Sequence, residues 1–123
     1  MTPLHLAALT GRKGLVLSLL RNGADVGARD GRGESPLVQA SHGGRVDIVE
    51  ILLGKGAAAD LRGTGPLRYS ALDRAAQQGH ADIIGALVRG GAAVSARDRR
   101  GVTALHVACR HGHVKAVIAL VGA

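Results

Sequence analysis

At 123 residues the chain has the size of one domain, and with 46% hydrophobic residues but no Trp, no Phe and a single Tyr its core has to be built from Ala, Leu, Val and Ile. Sixteen Lys and Arg against nine Asp and Glu give a formal charge of +7, which biases encounters towards acidic proteins, nucleic acid or anionic lipid without choosing among them. One cysteine, Cys109, excludes an internal disulfide, no segment reads as a secretion signal, and no apolar run approaches the roughly 20 residues needed to cross a bilayer, so the expectation is an intracellular protein, cytoplasmic or nuclear, without membrane insertion.

The first elements follow from Thr2-Pro3-Leu4-His5. Thr2 supplies an N-cap oxygen, and Pro3 at the first helical position gives up an N–H that has no partner there anyway. Leu4, Leu6, Ala7 and Ala8 then form a thin, Ala-rich helix face that stops at Gly11. A second helix with a wider stripe, Leu15, Val16, Leu19 and Leu20, runs to Gly23. Gly14 and Ser18 lie inside it, and because an interior glycine costs about 1 kcal/mol relative to alanine, this pair is expected to be the softest.

Asp30-Gly31-Arg32-Gly33 is a short polar turn, after which Ser35-Pro36-Leu37-Val38 opens the next pair. Its second helix is the clearest in the chain: Val46, Ile48, Val49, Ile51, Leu52 and Leu53, interrupted by Asp47 and Glu50 and closed by Lys55-Gly56. The following connection, Asp60 to Tyr69, carries two extra residues and lacks the Asp-x-x-Gly turn, so its tip is expected to protrude or curl differently. Ser70-Ala71-Leu72-Asp73 opens the third pair without proline, and Asp73 stands where its carboxylate can bond back to the cap. Asp98-Arg99-Arg100-Gly101 is the next turn, and Thr103-Ala104-Leu105-His106 opens the fourth pair. The starts fall at residues 2, 35, 70 and 103, at intervals of 33, 35 and 33.

Caps, period, glycines and turns in this arrangement resemble the ankyrin-repeat family, most plainly in Thr2-Pro3-Leu4-His5-Leu6-Ala7-Ala8 followed by Gly23-Ala24-Asp25-Val26. The resemblance covers essentially the whole chain. It implies an all-α solenoid of stacked antiparallel helix pairs joined by β-hairpin-like loops, with one ankyrin domain over residues 1–123 and repeats at approximately 2–34, 35–69, 70–102 and 103–123, the last incomplete. Val38 departs from the family's usual His, whereas His5 and His106 keep it, and the family uses that His structurally. No polar capping repeat marks either end, so flanking repeats or a neighbouring domain in a longer protein are expected.

Chemistry is scarce. Gly54-Lys55 lacks the following Ser or Thr and the upstream glycine of a phosphate-binding loop, and Gly63-Thr64-Gly65 runs to Arg68 where a dinucleotide fingerprint needs its third glycine. Cys109, His111 and His113 are spaced like metal ligands but lack a clear fourth, and Cys109 occupies the small-residue position of Ala8 and Ala76. No acid stands out near Cys109 and the histidines to complete a nucleophile and base. The chain therefore reads as no enzyme, with no cofactor and no metal.

Function is expected on the surface that varies from unit to unit. In the family, partners lie along the hairpin tips and the concave face of the first helices. The tips carry Arg29 and Arg32, then Arg62, Arg68 and Tyr69, then Arg97, Arg99 and Arg100. Behind the Ala-rich stretches stand His42, Gln77, Gln78, Arg110 and His111. Arginine forks onto carboxylates and phosphates, and Tyr and Arg are enriched among dominant interface residues. The expected function is a protein–protein interaction scaffold that engages an acidic or mixed surface of its partner. A nucleic-acid-binding module using the arginine-rich loops is the alternative, disfavoured because one Tyr is a poor supply of stacking platforms.

Overall fold

The computed structural model of the chain describes residues 1–60, 62, 69–97 and 100–122. These residues hold eight helices: α1 (Pro3–Thr10), α2 (Lys13–Arg21), α3 (Pro36–Gly43), α4 (Val46–Gly54), α5 (Ala71–Gln78), α6 (Ala81–Arg89), α7 (Ala104–Arg110) and α8 (Val114–Val121). They form four successive pairs. The first helices, α1, α3, α5 and α7, pack side by side in one layer, and α2, α4, α6 and α8 form the layer behind it. The all-α solenoid is what the sequence predicts.

Helices of seven to nine residues are too short to be stable alone, so each is held by its ends and by its neighbours. Thr2, Ser70 and Thr103 accept from the backbone N–H three residues on, and His5, Asp73 and His106 return a bond to the cap. Asp73 thus makes good the missing proline of the third pair. Ser35 does not follow suit. Its hydroxyl makes no cap bond and lies buried without a partner among the described residues; the Val38 N–H donates instead to Ser35 O at 3.1 Å.

Gly11, Gly44 and Gly79 close α1, α3 and α5 with φ near +75°, a conformation that L side chains rarely adopt. Space demands glycine there as well. A Cβ on Gly44 would lie 2.8 Å from the His80 ring, which rests on it.

The two layers share a core of small and branched aliphatic side chains. Ala7, Ala8, Ala40, Ala75, Ala76 and Ala108 let the first helices approach closely, and Ile48, Val49, Leu52, Ile83, Ile84 and Leu87 fill the space from behind. Each fully buried Ile or Leu contributes about 1.5–3 kcal/mol. On α2 only Val16 is buried.

Connections run at one edge of the stack. In the first, Asp30 N–H donates to Glu34 O at 2.9 Å and Gly33 N–H to Asp30 O at 2.9 Å, closing a tight turn. Arg62 pairs with Ser70 and Arg97 with Thr103 in single antiparallel bridges at the bases of the later tips. Most of the lengthened second connection, with Gly63-Thr64-Gly65 and Arg68, lies outside the described residues, as do Asp98 and Arg99.

Candidate functional site

The arginine-bearing tips are less free than their sequence suggests. Arg29 and Arg97 hold the same register position and both turn back on their own loops: Arg29 Nη1 donates to Gly33 O at 3.4 Å and reaches Arg62 O at 3.5 Å, and Arg97 Nη1 donates to Gly101 O at 2.7 Å. Arg62 is half-buried and donates to Asp73 Oδ2 at 2.7 Å. Asp73 in turn is buried at the third cap. These three arginines are bonded within and between the loops. Arg32 and Arg100 are exposed.

The aspartates of the described connections are held by backbone donors. Asp30 Oδ1 accepts from the backbone N–H groups of Arg32 at 2.8 Å and Glu34 at 3.0 Å. Burial pushes its pKa up, but those two backbone donors outweigh burial, and the net direction is below the ordinary 3.8. Asp25 likewise caps its own turn through Gly27 N–H, and Asp60 accepts from Ala93 N–H.

Behind the tips, the face of the first helices is organised by a residue the sequence did not single out. Arg74 on α5 donates to Glu34 Oε2 at 3.0 Å, lies 4.3 Å over the Tyr69 ring and reaches Gln77 Oε1 at 3.5 Å. Glu34 also accepts from Gln39, which bonds Asp30 as well. An unbroken polar chain therefore runs from the first tip through Gln39, Glu34 and Arg74 to Tyr69 and Gln77. Arg74 shares a register position with Leu6, Gln39 and Val107, so aligning the units marks it as a residue facing the neighbouring unit. Its partner Glu34 stands 40 residues away, and no local pattern connects them.

This arrangement brings Tyr69, Gln77 and His42 together. His42 is exposed at the end of α3, and its pKa is lowered from the ordinary 6.5 first by partial burial and then by the Arg74 charge, with Glu34 opposing. Tyr69 is half-buried with one ring face covered by Arg74, so it offers an edge and a hydroxyl more than a stacking platform. Gln78 is exposed beside Gln77.

Arg110 and His111 end α7 and are exposed, apart from the Arg74 cluster. His111 Nδ1–H donates to Val107 O at 2.9 Å, and its ring lies parallel to that of His113 with centroids 5.9 Å apart. Neither ring meets Cys109 as a ligand set: among the described residues no three His, Cys, Asp or Glu side chains are placed to hold a metal ion. No helix is long and apolar enough to cross a membrane among those residues.

A family model described as ankyrin repeats (three copies) matches residues 4–98 and 64–123. Among curated proteins, an ankyrin repeat and KH domain-containing protein of Caenorhabditis elegans is 35% identical over 97% of this chain, which spans 4% of that protein. A potassium channel of Arabidopsis thaliana is 38% identical over 87% of this chain and 13% of its own length. Ankyrin repeat domain-containing protein 63 of Homo sapiens is 36% identical over 90% of this chain and 30% of its own length. The chain thus spans less than a third of each of these relatives.

Proposed function

This chain belongs to the ankyrin-repeat family, whose repeats are protein–protein interaction modules, and we propose that it captures an acidic segment of another protein across its basic tips and the Arg74-centred face of the first helices. Its role is then binding without catalysis. The observation that supports the reading is the polar chain from Asp30 to Gln77, which draws Asp30 and Glu34 into internal bonds while Arg32, His42 and Gln78 are exposed. Arg29, Arg62 and Arg97 contribute by setting the loops that present this surface, and Arg110 and His111 extend it; Arg68 and Arg99, which lie outside the described residues, are assigned to it from their place in the sequence alone. An exposed thiol at Cys109 suits a reducing, intracellular setting.

The nucleic-acid reading draws no support from the family match or the relatives' matching repeats, and the one Tyr has a ring face already occupied by Arg74. Both readings meet one experiment. Proteins are captured with cross-linking from cell extract by the chain and by a variant carrying Arg32→Glu, Arg99→Glu and Arg100→Glu, and oligonucleotide binding is titrated against salt. Loss of a captured acidic protein in the variant, with no oligonucleotide binding, is expected. Micromolar oligonucleotide binding with a steep salt slope that the same substitutions remove defeats the scaffold reading.

A further inference from the structure

All but one of the chain's six histidines are committed to the fold. His5, His106, His111 and His113 each spend a ring nitrogen on a hydrogen bond, and the His80 ring rests on Gly44. His42 differs. It is exposed at the end of α3, and neither of its ring nitrogens has a hydrogen-bond partner among the described residues.

Positive charge surrounds this ring. Arg74 of α5, Arg32 of the first connection and His80 beyond α5 all disfavour its protonation, and Glu34 is the acid that opposes them. Glu34, however, is withdrawn from the surface. Its side chain is 4% exposed, with Oε1 bonded to Gln39 at 3.3 Å and Oε2 to Arg74 at 3.0 Å. The other elements packed on α3 supply no counter-charge. In α1 the titratable side chain is His5, bonded to Thr2 and to Glu34 O; Arg45 is turned onto Gly11 and Leu9 O; Asp47 and Glu50 belong to α4 in the layer behind. A protonated His42 therefore finds no surface carboxylate within the chain.

His42 on α3, Gln77 on α5 and Arg110 on α7 hold the same register position, so they stand in a row across the first helices. Neighbouring helices pack about 8–10 Å apart and an extended chain rises about 3.3 Å per residue, so residues about three apart in an extended segment meet successive members of the row.

We infer that a carboxylate of the partner's acidic segment, laid extended across the first helices, seats on His42, and that the imidazole takes up a proton from solvent as it binds. The inference rests on the acidic-partner reading above. A carboxylate is the occupant because it supplies the exposed negative charge that Glu34, held by Arg74, does not. The imidazolium N–H donates to the carboxylate oxygen. Binding and protonation then strengthen each other by the same factor, and capture tightens as pH falls. Contacts to arginine alone predict no such change, because Arg and Glu both keep their charge between about pH 7.5 and pH 5.5.

The probe is an end-blocked peptide of about twelve residues, long enough to cross three helices, with Glu at every third position and Gly and Ser between. Fluorescence anisotropy at low salt is expected to show it bound about two- to fivefold more tightly at pH 5.5 than at pH 7.5, the range of one partly exposed ion pair. His42→Gln is expected to lose most of that gain, what remains being the share of the other exposed imidazoles. NMR titration, with His42 assigned by its absence from the variant, is expected to show the His42 midpoint rising by the same factor in the presence of the peptide. Circular dichroism checks the fold at both pH values, with pH 6 as the acid point should helix be lost at pH 5.5. Equal gains in parent and variant, or a His42 midpoint that the peptide does not move, overturn the inference and leave the acidic-partner reading standing. A peptide that binds at neither pH overturns both.

Discussion

At the scale of single residues, positions that look alike in sequence carry different loads. Gly44 and Gly101 share a φ of +76°, yet a Cβ at Gly44 meets the His80 ring and one at Gly101 meets nothing within 4 Å. Gly101→Ala is expected to cost about 1–2 kcal/mol from backbone strain alone, and Gly44→Ala measurably more. Urea melts of both variants give the difference, and equal costs would show that the His80 contact contributes nothing. His42 sets a pH dependence. Its pKa is lowered from 6.5 by partial burial and by Arg74, so the folded state binds the proton less well than the unfolded state. The resulting stability is present above pH 6.5 and is lost as pH falls through the lowered value. Thermal melts of His42→Gln between about pH 7.5 and pH 5 are expected to show a shallower acid decline than the parent; an identical slope counts against this assignment.

Single helices bear out some local readings and correct others. Three of the four expected caps act as written, and His5, Asp73 and His106 each return a bond to them; at Ser35 the Val38 N–H donates to the backbone carbonyl and the Val38 side chain returns nothing. The sequence shows the hydroxyl but not whether its environment will answer it. The softness expected of α2 rests on Gly14, and the structure adds that this glycine is exposed with nothing within 4 Å of a Cβ. Gly14→Ala is therefore expected to stabilise the chain by up to about 1 kcal/mol. Amide hydrogen exchange should report the gain first in α1 and α2, and a uniform or absent change argues that the first pair is no softer than the rest.

Across the whole molecule, neighbouring units are tied by contacts between residues far apart in the chain. Glu34 is 4% exposed in its side chain and Arg74 14%, and their pairing joins the first connection to α5. Arg74→Met leaves a buried carboxylate that keeps its Gln39 bond but no longer its cation, and is expected to cost about 2–3 kcal/mol, at the lower end for a broken buried pair because Arg74 is 14% exposed. Adding Glu34→Gln should restore at least about 1 kcal/mol, since the uncompensated charge is then gone. Simple additivity in this double-mutant cycle would show that the pair does not couple the units. Stability in such a stack is a sum over units and joints, so weakening this joint is expected to broaden melting as well as lower it.

The period, the caps, the helix-ending glycines and the Ala-rich faces are local signals, and Thr2-Pro3-Leu4-His5 with its three counterparts was sufficient to read the fold, because a repeat that builds one helix pair builds them all. The surface was less legible. Arg29, Arg62 and Arg97 read as a ribbon of open charge, but tertiary structure ties Arg29 and Arg97 to their own loops and Arg62 to Asp73 of α5, and Arg74 emerges only when Glu34, 40 residues distant, folds against it. Periodicity fixes where a side chain stands along the stack. Which charges remain available to a partner depends on pairings between units, and those are decided when the units pack.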